Sequence, residues 1–527
     1  SAAFPKASIQ DMETLIPLMY LVLIVSMGLF LRSITGTIGT VLVIGLSAAT
    51  AMGIGGWMGI KLTPPSASAP TIIMTIAIAD CVHILVTMFQ QMRKGLPKNE
   101  ALVESLRLNM EPVFLTSLTT VIGFLSLNFS DSPPFGDLGN LSAFGVTAAW
   151  VYAITFLPAF VAILPVKVKA APDKVPFMDK FADVVINRRK SLMWGMSAIV
   201  LVTISFIPRI ELDDQFIEYF DYSHSIRPDT EFISKNLTGP YLLEYSVEAA
   251  DAGGISEPAY LAKLEEFSNW LREQPGVMHV NSFTDVMKRL SKSMHGDDES
   301  WYRLPDDREL AAQYLLLYEM SLPYGLDLNS QINVDKSATR LTVTMDNMTT
   351  TEMRALKDRA EAWLASNAPA HMHALATGAP IMFAYISERN IKAMLLGTFV
   401  AFLLISASLV IALKSPRLGF ISLIPNLLPA GIAFGIWAVL VGQVGLGSSV
   451  ITATSLGLIV DATVHLLSKY NRARKEKGYS AEDAVRYSFS TVGMALLVAT
   501  GILVAGFAVL AFSSFTLNSE MGVLTAI

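Results

Sequence analysis

The sequence is poor in cysteine and in charge. A single cysteine, Cys81, occurs among 527 residues, and only 16% of the residues are charged. One cysteine excludes a disulfide within the chain, so packing and hydrogen bonds have to hold the fold. Apolar residues make up 52% of the sequence and the mean hydropathy is +0.48, which is more than a soluble core requires. This composition predicts that most of the chain lies in lipid.

Common catalytic signatures are missing as well. No GxxxxGKS/T, GxSxG or HExxH motif occurs, which argues against nucleotide hydrolysis, serine esterase chemistry and zinc peptidase chemistry. We therefore expect no enzymatic activity and no cofactor. The sequence His-Met-His at 371–373 and the 24 methionines indicate soft-metal export only weakly, so no metal site is predicted.

Long apolar runs are abundant. A helix of ~20 residues crosses ~30 Å of hydrocarbon, and ten runs approach that length, with another beginning at Glu520. They lie at 14–32, 38–60, 70–90, 111–129, 141–165, 190–208, 391–413, 418–441, 448–468 and 487–512. The sequence therefore predicts a polytopic α-helical membrane protein.

Basic residues mark one side of the membrane. Alternate connections hold nearly all the Lys and Arg of the short loops, chiefly at 93–107, 167–190 and 469–486. Because basic loops are retained in the cytoplasm, the polar block 210–390 is expected in the periplasm, outside a bacterial inner membrane. Positions 211–389 contain 29 acidic and 15 basic residues. Such an acidic domain argues against nucleic acid as a partner.

The two ends of the chain repeat each other in the same direction. LRSITGTIG (31–39) resembles LKSPRLG (413–419), and an Asp/His element at 80–83 corresponds to one at 461–465. Extending this offset backwards pairs FPKASIQDMETLIPLM (4–19) with FAYISERNIKAMLLG (383–397). The matches predict two parallel six-helix repeats, twelve spans in total, of which about 10 to 11 are present.

This repeat predicts six parts along the chain. They are the tail of a missing first periplasmic domain (1–13), helices 2–6 of the first transmembrane repeat (14–165), a cytoplasmic linker (166–189), helix 7 (190–209), a periplasmic porter domain (210–390), and helices 8–11 with the start of helix 12 (391–527).

The porter domain is predicted to contain two strand–helix–strand units. Alternating apolar residues predict strands at 241–249, 276–283, 337–346 and 371–378, and apolar stripes predict helices at 257–274 and 350–367. This order is typical of an α+β ferredoxin-like sandwich.

One segment of the porter domain, 309–328, is too apolar for an ordinary surface helix. Two interpretations stay open: it is core, or it is a surface that faces a lipid-like substrate or a partner. Under the second interpretation, the candidate substrate-path residues are Tyr314, Leu315, Leu316, Leu317 and Tyr318.

Two aspartates stand inside membrane spans. Asp80 and Asp461 fall near mid-membrane, with His83 three residues after the first and His465 four after the second. A charged Asp there costs ~2.5–3.5 kcal/mol on insertion scales, and such residues usually serve an ion or proton path. We predict a proton relay at the aspartates. For the histidines, a static Asp/His pair that joins helices stays equally open.

Hydroxyl groups occur at a similar depth in the following span of each repeat. They could bond an aspartate or a water molecule, although Thr in membrane helices more often packs or bonds its own backbone. The candidates are Thr119, Thr120 and Thr500.

Together these features resemble a resistance-nodulation-division (RND) superfamily transporter of the mycobacterial membrane protein large (MMPL) branch, which is similar to hopanoid exporters and to Patched and Dispatched. The most specific stretches are LIPNLLPAGIAFGI (423–436) and SLGLIVDATVHLL (455–467). The family pattern Gly-x-x-x-Asp matches Gly457 and Asp461, whereas Ile76 replaces the glycine in the first repeat.

The resemblance implies export driven by the proton-motive force, with a lipid or other hydrophobic molecule as substrate and with membrane lipids and protons as partners. A periplasmic partner protein and a homo-oligomer stay open. Three alternatives remain: a sterol-sensing-type regulator without transport, a SecD/SecF-like translocation auxiliary, and a metal-ion exporter.

Overall fold

The computed structural model describes residues 3–166, 176–323 and 325–527. The chain forms two compact units. The first comprises Ser1–Leu212, Tyr219–His224 and Arg389–Ile527, and the second comprises Asp213–Glu218 and Ser225–Glu388. The predicted porter domain, 210–390, encloses the second unit. Much of the predicted linker, including its basic residues at 167–174, lies outside the described residues.

The helices are named here in chain order. They are α1 (Ala3–Leu31), α2 (Ile34–Trp57), α3 (Ala69–Arg93), α4 (Lys98–Leu125), α5 (Pro133–Ile154), α6 (Phe156–Ile163), α7 (Pro176–Asn187), α8 (Arg189–Ile204), α9 (Ile226–Asn236), α10 (Pro258–Arg272), α11 (Phe283–Met294), α12 (Arg308–Ser321), α13 (Thr350–Asn367), α14 (Ala379–Leu413), α15 (Pro416–Leu440), α16 (Leu446–Glu476), α17 (Ala481–Ser488), α18 (Met494–Leu510) and α19 (Thr516–Ala526). A π-helical segment, Phe489–Gly493, joins α17 to α18.

Ten helical segments of the described residues are long and apolar enough to cross a membrane. They coincide with the ten apolar runs of the sequence, so the chain is a multi-pass membrane protein. Several helices extend beyond their predicted ends. Helix α14 begins at Ala379 rather than 391, and α16 continues to Glu476 because the polar residues after 468 keep a helical face against the bundle. The predicted linker 166–189 also contains the helix α7.

The two repeats interlock around α3 and α4. The most apolar 18-residue window of α3 is 94% buried, whereas that of the α8 segment is 6% buried, so α3 is central and α8 is peripheral. Helix α4 packs against both α3 and α16, and α18 packs against α3. The equivalent turns of the two repeats share a backbone feature, since Arg32 and Lys414 both have a positive φ, 48° and 47°.

The second unit is built on a three-stranded antiparallel sheet. Its strands are β1 (Tyr241–Glu248), β2 (Val277–Asn281) and β3 (Ala338–Met345), in the order β1-β3-β2. The order matches the ferredoxin-like prediction. The fourth predicted strand, 371–378, is wrong in extent: it is reduced to a single antiparallel bridge between Glu244 and Thr377, because Ala370–Met372 forms a 3-10 turn instead.

Helix α13 of the second unit begins at a well-capped N-terminus. Thr349 and Glu352 form a capping box, and Asp213 accepts hydrogen bonds from Thr350 Oγ1 (2.6 Å) and from the Thr351 N–H (3.0 Å). Burial alone raises the pKa of the Asp213 carboxyl, but these hydrogen bonds outweigh burial and lower it below its ordinary value. The chain that enters the second unit is thereby fixed to the start of α13.

Helix α12 has one buried and one exposed face. Tyr314 and Leu315 are buried in the core of the second unit, 7% and 1% exposed, whereas Leu316 and Leu317 are 54% and 44% exposed. The 3.6-residue period explains the split, because 311, 314 and 315 share one face of the helix. Of the candidate substrate-path residues, Tyr314 and Leu315 are therefore core residues, whereas Leu316 and Leu317 are accessible from outside the unit. One face of segment 309–328 is thus core, and a substrate or partner at the exposed face stays a prediction.

Candidate functional site

The candidate site lies where α3 and α16 face each other beside α4. Asp461 is the centre of the site. His465, one turn further along α16, places Nε2 at 3.5 Å from Asp461 Oδ1, and His83 of α3 places Nε2 at 3.7 Å from Asp461 Oδ2. Each oxygen of the carboxylate therefore faces one imidazole, and each imidazole comes from a different repeat.

The pairing differs from what the sequence spacing indicated. Asp461 and His465 pair within α16, as the spacing of four residues favours. His83, however, turns towards Asp461 of the other repeat instead of towards Asp80 of its own helix. The site is therefore shared by both repeats.

The two imidazole rings are stacked. Their centroids are 3.7 Å apart and their planes differ by 7°. Both side chains are buried, 1% and 0% exposed, and none of their four ring nitrogens has a hydrogen-bond partner among the described residues. Two imidazolium rings at this distance would repel each other strongly in a buried site. The stack is therefore suited to holding one positive charge opposite the carboxylate of Asp461.

Asp80 lies in the same site but has a different partner. It is 5% exposed and accepts a hydrogen bond from Ser117 Oγ of α4 at 3.1 Å. A small cavity of about 20 Å³ is lined by both Asp80 and Asp461, with Thr116, Ser117 and Thr120 contributing hydroxyl groups. A polar cavity of this size can hold about one water molecule. The cavity therefore has room for about one water molecule beside both carboxylates.

Gly457 allows α16 to approach α4 closely. A Cβ atom on Gly457 would lie 2.6 Å from Thr120 Cα of α4, a distance at which one backbone has to move. Small residues permit such close crossings between membrane helices. Because Gly457 is one turn before Asp461, the crossing also sets how far Asp461 lies from α3 and α4.

The structure brings some of the predicted hydroxyl groups to the site. Thr120 lines the cavity, while Thr119 is buried and donates to the Thr116 carbonyl of its own helix at 2.9 Å. Thr500 is exposed on α18, so the structure does not bring it to the carboxylates. Repeat symmetry suggested Thr500, but the rotation of α18 about its axis turns that position outwards.

Two polar residues at or near the site were missed from the sequence. Ser117 lies one turn before Thr120, so the hydroxyl pattern of α4 contained a signal for it. Lys469 was interpreted as part of a cytoplasmic loop, whereas it is 3% exposed within α16 and donates from Nζ to the Leu108 carbonyl at 2.5 Å. It follows Asp461 and His465 at intervals of four residues, on one face of α16.

The same side chains offer donors that metal ions accept. Three possible ligand atoms lie within 4.8 Å of one another, one each from His83, Asp461 and His465. A first-row divalent ion needs nitrogen lone pairs that converge at ~2.0–2.1 Å, and each lone pair lies in the plane of its ring. The ring planes are nearly parallel and 3.7 Å apart, so the lone pairs do not converge. One ring would have to leave the stack before both could bind a metal ion.

Comparisons with known proteins agree on family and fold. The MMPL family profile matches residues 2–185 and 327–527. Over 112 residues the chain is 31% identical to a putative membrane protein of Methanocaldococcus jannaschii, a match that covers 21% of this chain and 29% of that protein. SecDF in its super-membrane-facing form is similar in structure, with a TM-score of 0.55 and 12% sequence identity. That likeness covers 99% of this chain and 59% of the SecDF chain, and it shows the fold. Both matches cover less than two thirds of the length of the related protein.

Proposed function

The chain belongs to the MMPL family, and from that membership we propose that it is the membrane part of a proton-driven transporter. Protons would pass through Asp80 and Asp461, and the energy would move a lipid or another hydrophobic molecule out of a bacterial inner membrane. The observation that carries this proposal is the position of Asp461 opposite the Nε2 atoms of two stacked imidazoles, one from each repeat.

The proton chemistry follows from the charges at the site. A carboxylate inside a bilayer is costly unless it is paired, and an imidazolium in the His83–His465 stack offsets the charge of Asp461. When a proton arrives on Asp461, for example through a water in the cavity beside Asp80, this attraction is lost. The two repeats are then free to shift against each other, because His83 and Asp461 belong to different repeats. Proton binding is thereby coupled to motion.

Support for a hydrophobic substrate comes from the second unit. Leu316, Leu317 and Met320 on the outer face of α12 are 54%, 44% and 77% exposed, while the unit as a whole is acidic. Burying an acyl chain stabilises a complex by ~0.8 kcal/mol per CH₂. A lipid can therefore bind to this face with few polar contacts. The second unit would lie in the periplasm, and a periplasmic partner protein stays open.

Proton flux in reconstituted vesicles tests the proposal. We expect Asp80→Asn and Asp461→Asn each to reduce flux driven by an imposed pH gradient to the level of protein-free vesicles, because an amide keeps the shape but carries no proton. Asp131→Asn is the matched control, since Asp131 is an exposed carboxylate of the same unit, paired with Arg389 at 3.0 Å. The proposal fails if both site variants retain normal flux while they insert and fold normally.

The same experiment separates the alternatives. Flux that depends on an added divalent cation would favour the metal-ion exporter. Flux that is unchanged in both aspartate variants, together with binding of a sterol to the protein, would favour the regulator. Loss of protein export in the aspartate variants would favour the translocation auxiliary. The likeness to SecDF, at 12% identity, does not by itself favour that function.

A further inference from the structure

A second cavity in the first unit shares no lining residue with the cavity beside Asp80 and Asp461. It measures about 300 Å³ and is bounded by α4, α16 and the end of α14. One wall of the cavity is apolar. It is formed by Leu108, Pro112, Leu115, Ala412, Leu413 and Val464. The cavity is therefore amphipathic, because its remaining lining is mostly charged.

Basic residues dominate the charged part of the lining. Two of them are already in ion pairs: Arg107 Nε lies 2.7 Å from Glu104, and Arg472 Nε lies 2.7 Å from Glu476. Three lysines of the lining form no ion pair with the described residues: Lys414, Lys469 and Lys475. The lining also has one carboxylate without an ion pair among the described residues, that of Glu111. The cavity therefore carries uncompensated positive charge.

Lys469 is the deepest of these lysines. It is 3% exposed, and its ammonium group donates one hydrogen bond, to the Leu108 carbonyl. An ammonium has three donors, so two remain for a ligand. A buried charge without a counter-ion is costly, and an anion in the cavity would reduce that cost.

We infer that this cavity binds the phosphate group of an anionic phospholipid. The phosphate would lie among Lys414, Lys469 and Lys475, and the first part of an acyl chain would follow the apolar wall. Phosphate chemistry alone does not distinguish a lipid from a soluble phosphate. The apolar wall and the position at the ends of membrane helices favour the lipid, since basic pockets between such helices bind anionic headgroups. The inference is independent of the proton relay.

Lipid binding to the full chain provides the test. The probe is 1-palmitoyl-2-oleoyl phosphatidylglycerol, compared with the phosphatidylcholine of the same chains, each added to the purified protein and counted by native mass spectrometry. We expect a preference for phosphatidylglycerol that falls about tenfold in Lys414→Gln/Lys475→Gln. Both lysines are exposed, so the variant should fold. The matched control, Lys94→Gln/Lys190→Gln, removes the same charge from exposed positions outside the cavity and should keep the preference.

Three results would overturn the inference. The first is equal binding of the two lipids by the wild-type protein. The second is an equal loss of preference in the control, which would indicate a general effect of charge. The third is displacement of the bound lipid by millimolar inorganic phosphate, which would identify a site for a soluble anion.

Discussion

At the residue scale, the stacked histidines behave as one group. Both rings face Asp461, with Nε2 at 3.7 Å for His83 and at 3.5 Å for His465, and two imidazolium charges so close together would repel each other. Residues that act as a unit give non-additive effects when they are replaced. A static role as helix glue would instead give losses of stability without a change in proton affinity.

We therefore predict that His83→Gln and His465→Gln each lower proton flux about tenfold, and that the double variant is little worse than either single one. The measurement is the pH dependence of flux in vesicles. Each variant should also move the pH midpoint, because Asp461 loses one of the two imidazoles that face its carboxylate. The histidines would have a structural role alone under two conditions. The pH midpoints would stay unchanged, and the loss of thermal stability in the double variant would equal the sum of the two single losses.

The residue-scale prediction from the sequence was partial for a physical reason. Spacing along one helix is a local property, so it identified the pair Asp461 and His465 correctly. The contact between His83 and Asp461 depends on how α3 and α16 are rotated and packed. Nothing in either segment alone specifies that rotation. For the same reason, the sequence did not distinguish Thr500, which is exposed, from Thr120, which lines the cavity.

At the element scale, the crossing of α4 and α16 depends on glycine. We predict that Gly457→Ala lowers the free energy of unfolding by ~1–3 kcal/mol, as overpacking does, because the new methyl would lie 2.6 Å from Thr120 Cα. Gly501→Ala on α18 is the control, since nothing lies within 4 Å of its Cβ position. Thermal unfolding in detergent measures both. Equal stability of the two variants would contradict the close crossing.

Helix α12 gives a second prediction at this scale. Leu316→Gln and Leu317→Gln should each reduce co-purified lipid and export about tenfold, since a leucine contributes ~1.5–3 kcal/mol when it is buried by a ligand. Val334→Gln is the control, because Val334 belongs to the same unit and is 89% exposed. If all three variants export normally, the outer face of α12 has no role in substrate binding.

Elements with local signals were more predictable than elements that depend on a neighbouring strand. Helix α13 lies at Thr350–Asn367, the span that its apolar stripe indicated, because its capping box is encoded locally. The segment 371–378 alternates like a strand, yet it pairs at one position only. Whether a short alternating segment joins a sheet depends on the neighbouring chain, which sequence patterns do not contain.

At the scale of the whole molecule, the charge asymmetry of the loops predicts an orientation that can be measured. We predict that a cysteine at Lys475 is protected from an impermeant maleimide in intact cells and reacts only after lysis, whereas a cysteine at Asp306 in the second unit reacts at once. The native Cys81 is 0% exposed, so background labelling should be low. The opposite pattern would reverse the assigned sides of the membrane.

The stacked rings also make the site visible to magnetic resonance. An imidazole proton above a parallel ring at 3.7 Å is shielded by the ring current of its neighbour, so the His83 and His465 signals should lie upfield of ordinary histidine signals. The chain has seven histidines, few enough for selective isotope labelling to resolve them individually. Any shift of one repeat against the other would separate the rings and remove this shielding, so two chemical shifts would record that movement directly.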